Sequence, residues 1–400
     1  MTVDALKILN NRFEKSRDTI LFRALDNHSF DYGIFLSNAK KLAERWKMKG
    51  VKKGETISFI LPNSVALSCC YLSCAIGGFV ACPIGDYLSK EMVNTIFSIV
   101  KPTLIVKNLP AIDETLKTRN IGDCFLDIDQ DSPFIYFFSS GTTGNPKVIC
   151  HSLRSVVGCA NAFAHLSKMS SKTRLYHILP MTYMAGFLNT MLAPLVVGGS
   201  IVEGPVFSPS MAINFWQRPL EQHVNTLSIT PTIAAALCQL TRSYKTIEDV
   251  KSNIFQVQST SAPIHKELRR RFFDVFSIPL QNCYGITELG GPLSFQNLND
   301  AQSFNDLSDP LPDIDISTRG ELEQKELWIR SPFAMLGYLE DGTFIKPLDD
   351  NGFMDTGDLT QLNNNKINIV RVVNGGDIEI IDIAEKANGA IIAATSNNGV

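Results

Sequence analysis

The stretch from Ile135 to Val148 runs an apolar strand, Ile135-Tyr-Phe-Phe138, into the loop Ser139-Ser-Gly-Thr-Thr-Gly-Asn-Pro-Lys147. Small residues let backbone N–H groups approach a phosphate closely. The hydroxyls of Ser139, Ser140, Thr142 and Thr143 add donors, Gly141 and Gly144 remove bulk, and Lys147 supplies positive charge. The spacing is not GxxxxGK[ST], because Lys147 follows Pro146 and precedes Val148. Two later segments, Thr287-Glu288 and Thr356-Gly-Asp358, read in isolation as a helix start and a turn. Neither nine cysteines nor six histidines form a CxxC pair or an HExxH, so zinc hydrolysis gains no support.

Together these segments resemble the adenylate-forming superfamily of acyl- and aryl-CoA synthetases, luciferases and peptide-synthetase adenylation domains. The matches occur in order: Asn63 in Leu61-Pro-Asn-Ser64, the loop ending in Pro146-Lys147, and Leu179-Pro-Met-Thr-Tyr-Met-Ala-Gly-Phe187. Ser259-Thr-Ser-Ala-Pro263, Tyr284-Gly-Ile-Thr-Glu288, Leu327-Trp-Ile-Arg330 through Gly337-Tyr338, and Gly352 through Leu359 follow. The resemblance implies ATP and Mg²⁺ as cofactors, with the loop residues Ser139, Ser140, Gly141, Thr142, Thr143 and Gly144 around the phosphates. It places Thr142, Thr143 and Lys147 on the β/γ-phosphates, Thr287 on the α-phosphate and Glu288 on the metal.

By the same resemblance Tyr284 stacks on adenine, with Gly285, Ser261 and Ala262 beside it. Asp358 accepts the ribose hydroxyls, a task suited to a group that accepts without donating, and Arg371 is a hinge residue near the ribose. The acyl pocket is expected around Tyr183, Met184, Ala185, Gly186 and Ile286. Tyr183 stands where many CoA-forming members carry His. No acid near it can pair a substrate ammonium, which disfavours α-amino acids, since an unpaired buried ammonium is costly. The implied activity is activation of an apolar or aromatic carboxylic acid as acyl adenylate, with CoA or a carrier-protein phosphopantetheine as acceptor of a second step. Two alternatives stay open. One is a nucleotide or acyl-adenylate-binding module without full turnover; the other is half of a split enzyme whose partner supplies the C-terminal domain.

The elements that must position these residues alternate in kind, which predicts an α/β fold. The resemblance implies the large N-terminal architecture of adenylate-forming enzymes, with two α/β sheet subdomains plus a small β-rich one. Strands are expected at Thr56–Leu61, Lys101–Val106, Leu175–Leu179, Ser200–Val202, Thr226–Ile229 and Lys325–Arg330. Ser37 is expected to cap a helix running to Trp46, and Ser64 to open an apolar helix. The β-rich unit is expected at about 290–360, closing an AMP-binding domain at 1–360, with 361–400 a hinge and vestigial C-terminal segment. Within those last residues no Gly-Lys is expected to serve as the family's C-terminal adenylation lysine. Lys266-Glu-Leu-Arg-Arg-Arg271 reads as a solvated helix face.

Of 400 residues 44% are hydrophobic and 19% charged, and the formal net charge is −3. This balance argues against disorder and against binding nucleic acid by bulk phosphate neutralisation. No membrane span or secretion signal is expected, and the cysteines read as reduced and buried in a cytoplasmic protein.

Overall fold

The computed structural model describes residues 3–116, 125, 128–140, 146–304, 308–320, 325–363, 366–372, 380–385 and 391–395. Its architecture is the expected α/β one, built on two large sheets. The first has seven strands in the order Thr343–Ile345, Gly337–Glu340, Pro146–Ser152, Pro133–Ser140, Val80–Ile84, Thr56–Ile60 and Leu104–Val106. Its N-terminal strands pair in parallel, whereas the last four, from Pro133–Ser140 outward, pair antiparallel. The fully buried run Val80-Ala-Cys-Pro-Ile84 is what a strand covered on both faces requires.

The second sheet has nine strands. Its parallel centre is Leu280–Ile286, Gln256–Ser259, Thr226–Ile229, Arg174–His177, Ser200–Glu203 and Ile20–Arg23. Helices fill the space between the two sheets. A continuous apolar core joins Phe59, Phe137 and Ile149 of the first to Leu175, Leu293 and Phe295 of the second, through Cys70, Val157, Phe163 and Phe187. The apolar helix Val65–Gly77 begins as expected, with the Ser64 hydroxyl accepting from the Leu67 N–H at 3.1 Å. It ends at Gly78 with φ +69°, a conformation that favours glycine.

Two expectations shift. The helix expected from Ser37 starts earlier, at Tyr32, because Asp31 accepts from the Ile34 N–H at 2.7 Å. Ser37 lies inside the helix and donates to the Gly33 carbonyl at 2.6 Å. The β-rich segment is distributed over three sheets. Gly291–Phe295 and Asp309–Pro310 extend the second, and Gly337–Glu340 with Thr343–Ile345 extends the first. Asp315–Arg319, Lys325–Arg330, Met354–Asn363 and Lys366–Val372 form a separate antiparallel one. Residue 360 lies within the paired strand Met354–Asn363.

In the helix Lys266–Phe276, Arg269 turns inward. It is 1% exposed and donates to Gln296 Oε1 at 3.4 Å and to the Phe304 carbonyl at 3.3 Å, while its charged neighbours face outward. The eight described cysteines are free and buried; Cys124 lies outside the described residues. Among the described residues no helix is long and apolar enough to cross a membrane.

Candidate functional site

The strands Pro133–Ser140 and Pro146–Ser152 pair with Ser139 opposite Lys147 and Ser140 opposite Pro146. Gly141, Thr142, Thr143 and Gly144 lie outside the described residues. Strand alternation puts Lys147, Ile149 and His151 on one face. Phe137 lies across from Ile149 on one side, and Tyr338 on the other. Ile149, Phe137 and Tyr338 all belong to the core between the sheets, so Lys147 projects from the rim of the face that looks toward the second sheet.

From that second sheet comes the acidic turn. The strand Leu280–Ile286 ends in the short 3₁₀ turn Thr287–Leu289, and Gly290 and Gly291, with φ +103° and +105°, send the chain back along Gly291–Phe295. A Cβ on Gly290 would lie 2.7 Å from the Phe333 carbonyl oxygen, so only glycine fits there. The turn is gripped from the first sheet. His151 Nε2 lies 2.8 Å from the Thr287 carbonyl oxygen; the carbonyl only accepts, so Nε2 carries the hydrogen. Burial pushes this imidazole down to about 4, which keeps it neutral at physiological pH.

The Met335 N–H donates to the Glu288 carbonyl at 2.8 Å, and Ser331 Oγ to the Leu289 carbonyl at 3.3 Å. The Tyr338 hydroxyl donates to Glu288 Oε1 at 3.0 Å, and Lys147 Nζ sits 5.1 Å from the centroid of the Tyr338 ring. Burial, with Glu288 adding to it, pushes the Tyr338 phenol up from its ordinary value, so it stays a donor. The cation over the ring is worth on the order of 0.5–1 kcal/mol at an exposed position.

Among the described residues no three His, Cys, Asp or Glu side chains gather as a metal cage. A single half-buried carboxylate, Glu288, fits an ion such as Mg²⁺ that keeps its waters and is otherwise held by phosphate oxygens.

On the other side of this turn the Tyr284 hydroxyl donates to Asp358 Oδ2 at 2.6 Å. Asp358 is 2% exposed, and its N–H donates to Thr356 Oγ1 at 3.1 Å while that hydroxyl donates to the Leu327 carbonyl at 2.8 Å. Gly357 between them has φ +72°, which explains a glycine there. Burial, and secondarily Asp358, raises the Tyr284 phenol well above its ordinary value. Ser261, with φ +73°, and Ala262 are exposed just beyond the strand Gln256–Ser259. A Cβ on Gly285 would meet the Gly291 carbonyl oxygen at 2.0 Å. Arg371 pairs opposite Leu359 on the strand next to Asp358.

The expected acyl segment is clamped from below. Asn63 donates through Nδ2 to the Leu179 carbonyl at 2.7 Å and accepts at Oδ1 from the Met181 N–H at 2.8 Å; the Tyr71 hydroxyl donates to the Met181 carbonyl at 2.8 Å. Met184 reaches Gly291, where a Cβ would lie 3.1 Å from Met184 Cγ. Ala185 packs instead with Ile178, Leu179 and Ile229 in a second cluster, so the structure separates it from Met184. Tyr183 is 48% exposed, and Ile286 half-buried. The residue types of His151 and Tyr338 alone point to no role. The alternation Lys147, Ile149, His151 is the sequence signal for the first.

The family model of the AMP-binding enzymes matches residues 9–339. The chain belongs to the AMP-binding enzyme family. Among its relatives, sulfoacetate–CoA ligase of Cupriavidus necator is 25% identical over 297 residues, covering 68% of this chain and 56% of that protein. Long-chain-fatty-acid–CoA ligase FadD13 of Mycobacterium tuberculosis is 22% identical over 356 residues, 81% of this chain and 69% of that one. This AMP-binding chain thus spans a little over half the length of the first relative. The inhibitor-bound N-terminal domain of FACL13 from Mycobacterium tuberculosis superposes with a TM-score of 0.79 at 20% identity, covering 92% of this chain and 100% of that domain. This likeness establishes the fold.

Proposed function

We propose that the chain activates a carboxylic acid with ATP to give an acyl adenylate and pyrophosphate, as the acyl-CoA ligases among its relatives suggest. The observation that carries the reading is the convergence of Lys147 and Glu288 on one tyrosine at the mouth between the two sheets, with Asp358 buried nearby. Attack of a carboxylate on a phosphate brings like charges together, so the site must supply cations and fixed donors. Lys147 would meet the β/γ-phosphates, with Ser139, Ser140, Thr142 and Thr143 as further donors. Glu288 would hold Mg²⁺, which when bound neutralises phosphate charge. Thr287 would donate to the α-phosphate, its backbone fixed by neutral His151. Asp358 would accept the ribose hydroxyls, and the Tyr284 ring would lie against the adenine.

Met184 and Ile286 support an apolar or aromatic acid, although the relatives' named substrates range from sulfoacetate to long-chain fatty acids. CoA or a carrier-protein phosphopantetheine is the proposed acceptor of a second step, with Arg371 near the hinge. The strand pairing supports moving the end of the nucleotide-binding unit from residue 360 to after Val372.

ATP–pyrophosphate exchange over a panel of carboxylic acids tests the reading. Exchange by the isolated chain, lowered by about two orders of magnitude or more in Lys147→Ala and Glu288→Ala, is expected, the scale of losing one oriented charge in such a site. ATP binding without exchange for any acid would overturn it. Exchange only on adding a second protein would mark the split-enzyme alternative.

A further inference from the structure

We propose that Tyr338 is a positioning residue that holds Lys147 and Glu288 side by side while keeping them from neutralising each other. The proposal rests on the adenylating reading of the site. Tyr338 is fixed on three sides. Its strand pairs with Pro146–Ser152, Tyr338 opposite Ile149 and therefore diagonal to Lys147, a separation that an aromatic ring and a long side chain can bridge. The Leu336 N–H donates to the Cys150 carbonyl at 2.7 Å, and the Met335 N–H to the Glu288 carbonyl at 2.8 Å. Gly337, with φ +147°, lets the strand Thr343–Ile345 close in, since a Cβ there would lie 2.9 Å from the Ile345 backbone nitrogen.

From this mount the side chain does two separable things. Its hydroxyl donates to Glu288 Oε1 at 3.0 Å, fixing the carboxylate through one of its two oxygens. Its ring face takes Lys147 Nζ at 5.1 Å, attracting the cation without discharging it. Remove the ring, and an ammonium and a carboxylate anchored on adjoining elements can pair directly. That pair would occupy the groups that a nucleotide–metal complex needs.

Binding of ATP, measured calorimetrically with and without Mg²⁺ in the full chain, tests this. Tyr338→Phe keeps the ring and loses the hydroxyl. Its metal-free ATP affinity is expected to stay within about twofold of wild type, while the tightening caused by Mg²⁺ shrinks about tenfold or more, the scale of one charge-assisted hydrogen bond. Tyr338→Leu is expected to lose metal-free affinity as well, by about fivefold or more, and adding Glu288→Gln to it is expected to restore that part, because Lys147 is released.

Wild-type Mg²⁺ dependence in Tyr338→Phe overturns the proposal. So does an equal loss in both variants, with and without Mg²⁺, accompanied by a lowered melting temperature, which marks a packing role alone. Failure of the wild-type chain itself to bind ATP would sink the adenylating reading and this proposal with it. Wild-type binding with unaltered variants sinks only the proposal.

Discussion

The side chain with the most to exchange is Asp358. It is buried, ionisable and engaged at 2.6 Å by the Tyr284 hydroxyl. If the ribose hydroxyls take its oxygens, that bond is given up on binding, and its net worth of about 1 kcal/mol is subtracted from affinity. Tyr284→Phe keeps a ring for the adenine and removes the competitor, so ATP affinity by calorimetry should rise about two- to tenfold. Asp358→Ala should weaken it instead; a weaker Tyr284→Phe would show that the hydroxyl orients the carboxylate. The residue types of both groups were legible in the sequence, since Tyr284-Gly-Ile-Thr-Glu288 and Thr356-Gly-Asp358 are distinctive runs. That they touch was not, because the contact joins the second sheet to the separate antiparallel one. For the same reason His151 is silent in the sequence: a lone histidine on a strand acquires meaning only when the Thr287 carbonyl arrives from elsewhere in the chain.

At the scale of elements, the acyl segment after Arg174–His177 depends on one close approach. A Cβ on Gly186 would lie 1.9 Å from the Pro180 carbonyl oxygen, which no side-chain rotation relieves. Gly186→Ala should cost about 1–3 kcal/mol by denaturant unfolding, the usual range for forcing bulk into a packed site, and should raise KM for the acid more than for ATP. An unchanged unfolding midpoint would show that the segment is looser than its contacts imply. Elements with strong local signals were readable in advance. Thr226–Ile229 and Lys325–Arg330 form as the sequence predicts, and Ser64 caps its helix. Ser37 misled because a better cap, Asp31, lay just upstream. The stretch after 290 forms strands, as read, but turn residues mark where strands end and do not say which sheet each joins.

For the whole molecule, buried titratable groups set how stability answers pH. Burial pushes the Glu203 carboxyl up to about 7 from an ordinary 4.5, beside a 3.2 Å bond that its Oε2 accepts from the Leu25 N–H. The folded chain therefore holds this proton more tightly than the unfolded one, and that stabilisation is full below about pH 4.5 and lost as pH rises through 7. His151 and His177, both pushed down to about 4 by burial, act in the opposite sense. Their contribution is present above about pH 6.5 and lost as pH falls through 4. Two histidines outweigh one carboxylate, so these groups together make stability rise from pH 4.5 to 6.5. Glu203→Gln removes the opposing member. Relative to wild type, its stability at pH 7.5 against pH 4.5 should improve by up to roughly 3 kcal/mol in guanidinium unfolding; an identical pH profile would contradict the burial of this carboxyl.

The strand Gly337–Glu340 also fixes the order in which the site can come into being. Its partner Pro146–Ser152 is made early by a ribosome that adds residues one at a time, and until Gly337–Glu340 emerges that partner presents an open edge, a template for any stray strand. Closing the first sheet thus waits on a pairing far apart in the chain, which slows folding. The ring that stands between Lys147 and Glu288 arrives only with that strand, so a nascent chain halted before Gly337 would hold both charges and lack the tyrosine that spaces them.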